Sequence, residues 1–285
     1  MSLQHHSTPL YSVELFPPKT AEGMAKLKLE IAQLKSLKPA YFSVTYGAGG
    51  STRDGTLDTV AWLRELNLDT APHLACIGST REQVRELLTH YQKLGIHRLV
   101  ALRGDMPSGM GAGDRGNFHY ANELVQFVRA EFGAAFFIEV AAYPEYHPQA
   151  SSPTRDLENF KRKVEAGADG AITQYFYNAD AYFAFVANCQ QRGINIPIIP
   201  GIMPITNYTQ LARFSDTCGA EIPRWIRRRL EGFGDDVESI RAFGHEVVFN
   251  LCHQLIAGGA PGLHFYTMNQ SAPITRLWTD LQLPM

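Results

Sequence analysis

A chain of 285 residues that is 45% hydrophobic can build one large domain or two small ones around a sizeable core. Its formal charge of -2, with no block of like charge, excludes long-range attraction to nucleic acid or to an anionic membrane surface. Cys76, Cys189, Cys218 and Cys252 stand far apart, which excludes a structural zinc module. They read as reduced packing thiols of a cytoplasmic protein. The N-terminus lacks a basic flank followed by an apolar core, and no apolar run reaches the ~18 residues of a membrane span.

In chain order, strands are expected at 11–16, 41–47, 71–77, 97–104, 136–143, 170–177, 196–203 and 262–268. Helical patterns lie at 19–37, 54–66, 80–94, 120–132, 154–167, 179–192, 207–217 and 235–258. Glycines at Leu94-Gly95-Ile96, Ala166-Gly167-Ala168 and Arg192-Gly193-Ile194 stop three helices just before the next strand, as left-handed C-caps do. The strand starts are 26 to 39 residues apart until a last interval of 66, which an inserted segment around 219–234 accounts for. Eight βα units without a Pro-, Gly- or Ser-rich linker predict an α/β fold, a single (β/α)8 TIM barrel spanning 1–285. No dinucleotide-binding glycine turn follows any strand, which disfavours a doubly wound sheet, and the glycine-rich run Met110-Gly111-Ala112-Gly113 carries little weight as a phosphate cradle.

A barrel presents its chemistry at the C-terminal ends of its strands, and those ends are polar here. The stretch Leu99-Val100-Ala101-Leu102-Arg103-Gly104-Asp105-Met106-Pro107 runs from an apolar strand into a cation, a glycine and a carboxylate, and Pro107 forbids further ladder pairing. An ordinary Arg–Asp pair at a strand end is the plainer reading. Glu14 alternates with Val13 and Leu15 and so points into the lumen if those two face the helices. It is either an acid for catalysis or a carboxylate paired with a neighbouring Lys or Arg. Strand two ends in the hydroxyl of Thr45, and strand three carries His73, which by itself reads as a core histidine. His147 lies in a Pro-bounded loop after strand five, where ligand contacts concentrate. Asp156, Asn159 and Lys163 form one stripe on the next helix, beside Leu157, Phe160 and Val164.

Seven stretches taken together resemble a known family: Glu14-Leu15-Phe16-Pro17-Pro18-Lys19, Ser43-Val44-Thr45-Tyr46-Gly47-Ala48, Leu102-Arg103-Gly104-Asp105-Met106-Pro107, Ala141 to Pro148, Lys161 to Ala168, Ile172 to Phe176 and Pro200 to Pro204. Collinear from about residue 11 to about residue 270, they are similar to bacterial-type methylenetetrahydrofolate reductases. The resemblance implies a flavoenzyme that reduces 5,10-methylenetetrahydrofolate to 5-methyltetrahydrofolate through FAD, with NADH or NADPH as electron donor. It implies Glu14 as the general acid. It places FAD against Tyr46, Ala48, His73, Arg103, Gly104, Asp105, Tyr120, Ala121, Tyr143, His147, Ala150, Asp156, Asn159, Arg162 and Lys163. Thr45, Gln174, Gln210 and Phe214 match positions that meet folate or nicotinamide. Where the family often has Asn-Arg after strand eight this chain has Asn269-Gln270, so a cation expected near the folate tail is missing.

The residue chemistry agrees with that implication. Opening the folate ring to a 5-iminium cation needs a proton at the departing nitrogen, and Glu14 can donate it. Asp105 can support the cation, Gln174 offers a donor and an acceptor to a pterin edge, and Phe214 offers a stacking face. One site used by two substrates in turn implies ping-pong kinetics. Small-molecule substrates, no nucleic acid, no membrane and a homo-oligomer are expected. The larger relatives' C-terminal regulatory domain is not expected, because the chain ends about fifteen residues after the last strand. The alternative is another folate-binding barrel, such as a folate-dependent methyltransferase, or a non-catalytic barrel.

Overall fold

The structure, a computed structural model, describes residues 8–46, 53–104 and 116–285. Parallel strands β1 (Leu10–Leu15), β2 (Phe42–Val44), β3 (Thr70–Ala75), β4 (Arg98–Leu102), β5 (Phe137–Ala142), β6 (Gly170–Thr173), β7 (Ile198–Ile199), β8 (Gly201–Ile202) and β9 (Gly262–Tyr266) are paired in the order β7-β6-β5-β4-β3-β2-β1-β9-β8. The seventh expected strand is split at Pro200, which has no N–H to give to a ladder. Its first half pairs with β6 and its second half with β9, so the single segment 198–202 closes the ring and the expected barrel forms.

The helices are α1 (Ala21–Leu34), α2 (Arg53–Glu65), α3 (Arg81–Lys93), α4 (Ala121–Phe132), α5 (Pro153–Glu165), α6 (Ala179–Gln191), α7 (Tyr208–Cys218), α8 (Arg224–Phe233), α9 (Val237–Ala257) and α10 (Ser271–Asp280), with a 3-10 turn at Lys35–Leu37. Two of these lie outside the sequence expectation. The inserted segment folds as α8, burying Ile226 and Leu230 one turn apart. After the last strand comes α10, whose Pro273 sits in the first turn, where no helical N–H is lost. The three glycine caps have φ of 71°, 112° and 75° at Gly95, Gly167 and Gly193, as their helix-ending role requires.

Period-two alternation divides the strands between two apolar layers. Val13 and Leu15 of β1, Phe42 and Val44 of β2 and Phe265 of β9 join the layer between barrel and helices, where Trp278 of α10 packs edge-on against Tyr11. Tyr41, Ala71, Val100 and Ile172 form a separate cluster inside the barrel, capped by Leu10, Leu102 and Tyr266. Above and among these lumen residues stand the polar groups Ser12, Ser43, His73, Glu139 and His264, all buried.

Candidate active site at the strand C-termini

Glu14 is the last lumen-facing residue of β1, in register with Ser43 of β2 and Tyr266 of β9. Its side chain is 18% exposed, so it is open to the mouth of the barrel. Its ion-pair partners among the described residues are both histidines: Oε2 lies 3.3 Å from His73 Nε2 and 3.5 Å from His264 Nε2. Among the described residues no Lys or Arg forms the ion pair with Glu14 that one reading of the sequence expected. Burial lowers the His73 pKa, against an upward pull from Glu14, and its Nε2 makes no hydrogen bond among the described residues. That nitrogen is within ion-pair distance of Glu14 but is not aligned as a hydrogen bond.

The loop after β9 holds the backbone around Glu14. Thr267 Oγ1 donates to the Glu14 carbonyl at 2.6 Å, and Asn269 clasps Phe16, accepting from its N–H at 3.0 Å and donating to its carbonyl at 2.8 Å. Across the lumen Tyr266 donates to the Thr173 carbonyl at 2.6 Å. Only a glycine at 201 permits this, since a Cβ there would sit 2.6 Å from the Tyr266 ring. The next residue after β6, Gln174, is half-buried, and its side-chain oxygen accepts from the Tyr175 N–H at 3.0 Å. The Tyr175 hydroxyl pairs with Ser215 Oγ at 3.0 Å and so ties α7, which carries half-buried Gln210 and Phe214, to the end of β6. Thr45 is half-buried just past β2, with its N–H on the Leu15 carbonyl.

On the β4–β5 side, Gly104 has φ 82° and passes so close to β3 that a Cβ would meet Ala75 Cβ at 2.8 Å. Arg103 reaches over to Gln149 Oε1 at 2.7 Å. Tyr143 and His147 pack edge to face with centroids 4.6 Å apart, and the Ala150 N–H closes the turn onto the His147 carbonyl. The stripe expected on one helix is divided. Asp156 accepts from the His147 N–H at 3.0 Å and Lys163 donates to the Ala141 carbonyl at 2.5 Å, both half-buried, whereas Asn159 and Arg162 are exposed and bonded to each other at 3.2 Å. Desolvation pulls the Lys163 pKa down to about 8, against an upward pull from Asp156. Tyr46 and Ala121 are half-buried and Tyr120 is exposed. Asp105 and Ala48 lie outside the described residues. Gln270 is exposed and lines a cavity of about 250 Å³ between α9 and α10, shared with Arg241, His245 and Leu277.

These side chains suit a flavin dinucleotide by their chemistry. Arg103 and Lys163 are cations for a diphosphate, Tyr120 and the Tyr143–His147 pair are aromatic surfaces, and His73 has a buried ring nitrogen with no hydrogen-bond partner among the described residues. Sequence reasoning did not single out His264, Thr267 or Asn269. The signal for His264 was its even spacing from Tyr266 in a strand whose alternate residues Leu263 and Phe265 are apolar.

The methylenetetrahydrofolate reductase family profile matches residues 2–282. The chain is 41% identical to the 5,10-methylenetetrahydrofolate reductases of Salmonella typhimurium and Escherichia coli, over 91% of its own length and 86% of theirs. It is 39% identical to a probable methylenetetrahydrofolate reductase (NADH) of Oryza sativa, of which it covers 48%. A solved structure of an uncharacterised Clostridium thermocellum protein that binds two copies of 5-methyl-5,6,7,8-tetrahydrofolic acid shares the fold with a TM-score of 0.66 at 18% identity, over 96% of this chain and 95% of that one. Sequence, barrel and relatives converge: the chain belongs to the methylenetetrahydrofolate reductase family.

Proposed function

We propose that this protein reduces 5,10-methylenetetrahydrofolate to 5-methyltetrahydrofolate, with NADH or NADPH as electron donor, FAD as bound cofactor and ping-pong kinetics. The observation that carries this reading is Glu14, a carboxyl at the barrel mouth whose only described ion-pair partners are two histidines. Bound FAD supplies the hydride relay between nicotinamide and folate, held by Arg103, Lys163, His73, Tyr143 and His147. Glu14 gives a proton to the departing ring nitrogen as its bond to the methylene carbon breaks, leaving the 5-iminium cation. The resemblance assigns Asp105 the negative charge that supports the cation, Gln174 offers its amide to the pterin edge, and Phe214 and Thr45 position the rings. The protein works as a homo-oligomer. The test is purification without added flavin, followed by an absorption spectrum and a turnover assay with each nicotinamide. A yellow protein that oxidises NADH or NADPH only when methylenetetrahydrofolate is supplied supports the reading. A colourless protein that FAD does not activate overturns it.

A further inference from the structure

Glu14 sits where the barrel wall runs out of ladder. On the β9 side the parallel register ends at Glu14 opposite Tyr266, and beyond Phe16 the chain enters Pro17-Pro18, two residues with no N–H to give. The contacts of the carboxyl itself are loose: 3.5 Å to His264 Nε2, and 3.3 Å to a His73 Nε2 that is not aligned as a hydrogen bond. Its direction is therefore set by its backbone.

The loop after β9 holds that backbone, and it turns in an unusual way to do so. Met268 and Asn269, neither of them glycine, take left-handed backbone with φ of 50° and 53°, a conformation that persists only where surrounding contacts over-determine it. What the turn achieves is a set of bonds to the end of β1. Thr267 gives both its N–H, at 3.3 Å, and its hydroxyl, at 2.6 Å, to the Glu14 carbonyl. The same hydroxyl oxygen accepts the Asn269 N–H at 3.0 Å. Asn269 then lays its amide along Phe16, oxygen to the N–H at 3.0 Å and nitrogen to the carbonyl at 2.8 Å. A side-chain amide carries the same donor and acceptor as a peptide, and only this orientation satisfies both groups of Phe16. It continues the ladder past Glu14 where the backbone after β9 has turned away.

We propose that Thr267 and Asn269 are positioning residues for the proton transfer: they fix the backbone at Glu14 and at Phe16 and so aim the Glu14 carboxyl at the departing ring nitrogen. This rests on the assignment of Glu14 as the acid. In the step they serve, the Glu14 O–H bond breaks and an N–H bond forms on the nitrogen as its bond to the methylene carbon opens. The carboxylate that remains takes its next proton from solvent at the barrel mouth. Neither Thr267 nor Asn269 gives or takes a proton. An acid displaced by about 1 Å can lose up to ~10²-fold in rate while its substrate stays bound, so the clasp governs the folate rate rather than folate affinity.

The test is a double-mutant cycle read by stopped flow in the full chain with FAD. Thr267→Val removes the hydroxyl and keeps the buried shape, while Asn269→Gly removes the amide and frees the left-handed backbone. Each is expected to slow flavin reoxidation by methylenetetrahydrofolate about ten-fold, with the half-saturating folate concentration and flavin reduction by the nicotinamide both within about two-fold. Thr267→Ser, which restores the hydroxyl, recovers the folate rate to within about three-fold of the unmodified protein. Added to Glu14→Gln, neither substitution slows the folate step further, because no proton is left to aim. A merely structural role would slow it by the same factor in both backgrounds. Exchange of the Phe16 amide hydrogen, whose acceptor is the Asn269 side chain, quickens in Asn269→Gly. Unchanged folate rates in both variants, equal losses in the two half-reactions, or a further ten-fold loss in Glu14→Gln overturns the proposal. Should Thr267→Val fail to fold, Asn269→Gly, at a half-buried loop position, carries the cycle alone. If Glu14→Gln by itself leaves the folate step intact, the acid assignment fails, whereas an intact Asn269→Gly beside an impaired Glu14→Gln rejects the positioning alone.

Discussion

Glu14 Oε2 and His73 Nε2 are 3.3 Å apart, yet the histidine nitrogen is buried and makes no hydrogen bond among the described residues. A buried ring nitrogen in this state costs free energy unless a ligand completes it. His73→Ala is therefore expected to raise the FAD dissociation constant by about ten-fold, the scale of one lost hydrogen bond, with little loss of thermal stability in the flavin-free protein. Titration by flavin fluorescence quenching measures the first and a melting curve the second. Unchanged affinity would remove His73 from the cofactor site.

Glu14→Gln separates the two halves of the proposed cycle. Transfer from NADH or NADPH to the flavin needs alignment but no proton donor, whereas ring opening needs one. In stopped flow, flavin reduction should survive within a few-fold, while reoxidation by methylenetetrahydrofolate falls by about 10²-fold or more. Equal losses in both halves would mean that Glu14 supports the lumen rather than the chemistry.

Lys163 has its pKa pulled down to about 8 by desolvation, below the ~10.4 of an unfolded chain. Between those values the unfolded state binds more protons, so the contribution of this residue to stability rises with pH across that window. Anion binding behaves in the opposite sense, because the ammonium proposed to meet the diphosphate is lost above about pH 8. FAD affinity should weaken from pH 7 to 9 in the unmodified protein and become flat in Lys163→Met. A parallel pH dependence in both proteins would assign the titration to another group.

Arg98 stacks between Tyr41 and Phe137, with its guanidinium carbon 4.6 and 4.2 Å from the two ring centroids, and pairs with the buried Glu139. Burial raises the Glu139 pKa, opposed by Arg98 and Tyr41. Arg98→Met leaves the carboxylate buried without its cation and should cost about 3 kcal/mol at pH 7, read from urea midpoints. A carboxyl whose folded pKa lies above its unfolded ~4.3 contributes stability that is full below that value and is lost as pH rises through the folded value. The variant should therefore regain stability on acidification from pH 7 toward 5. A uniform loss across that range would point to packing alone.

The sequence by itself determined the elements and their polarity. Alternation of Val13, Glu14 and Leu15 placed a carboxyl in the lumen, and the glycines at 95, 167 and 193 ended helices where the left-handed backbone requires them, because spacing and backbone permission are local properties. The short α10 escaped notice because its ten residues are a brief amphipathic signal carrying an early proline. Tertiary structure alone decided which groups meet Glu14. His264 is 250 residues away in sequence, and it becomes a neighbour because Pro200 divides one strand between two partners and closure of the ring sets β9 beside β1. Packing against β5 likewise divides the stripe on α5 into the half-buried Asp156 and Lys163 and the exposed Asn159, since helical spacing defines a face but only packing decides which part of that face is covered.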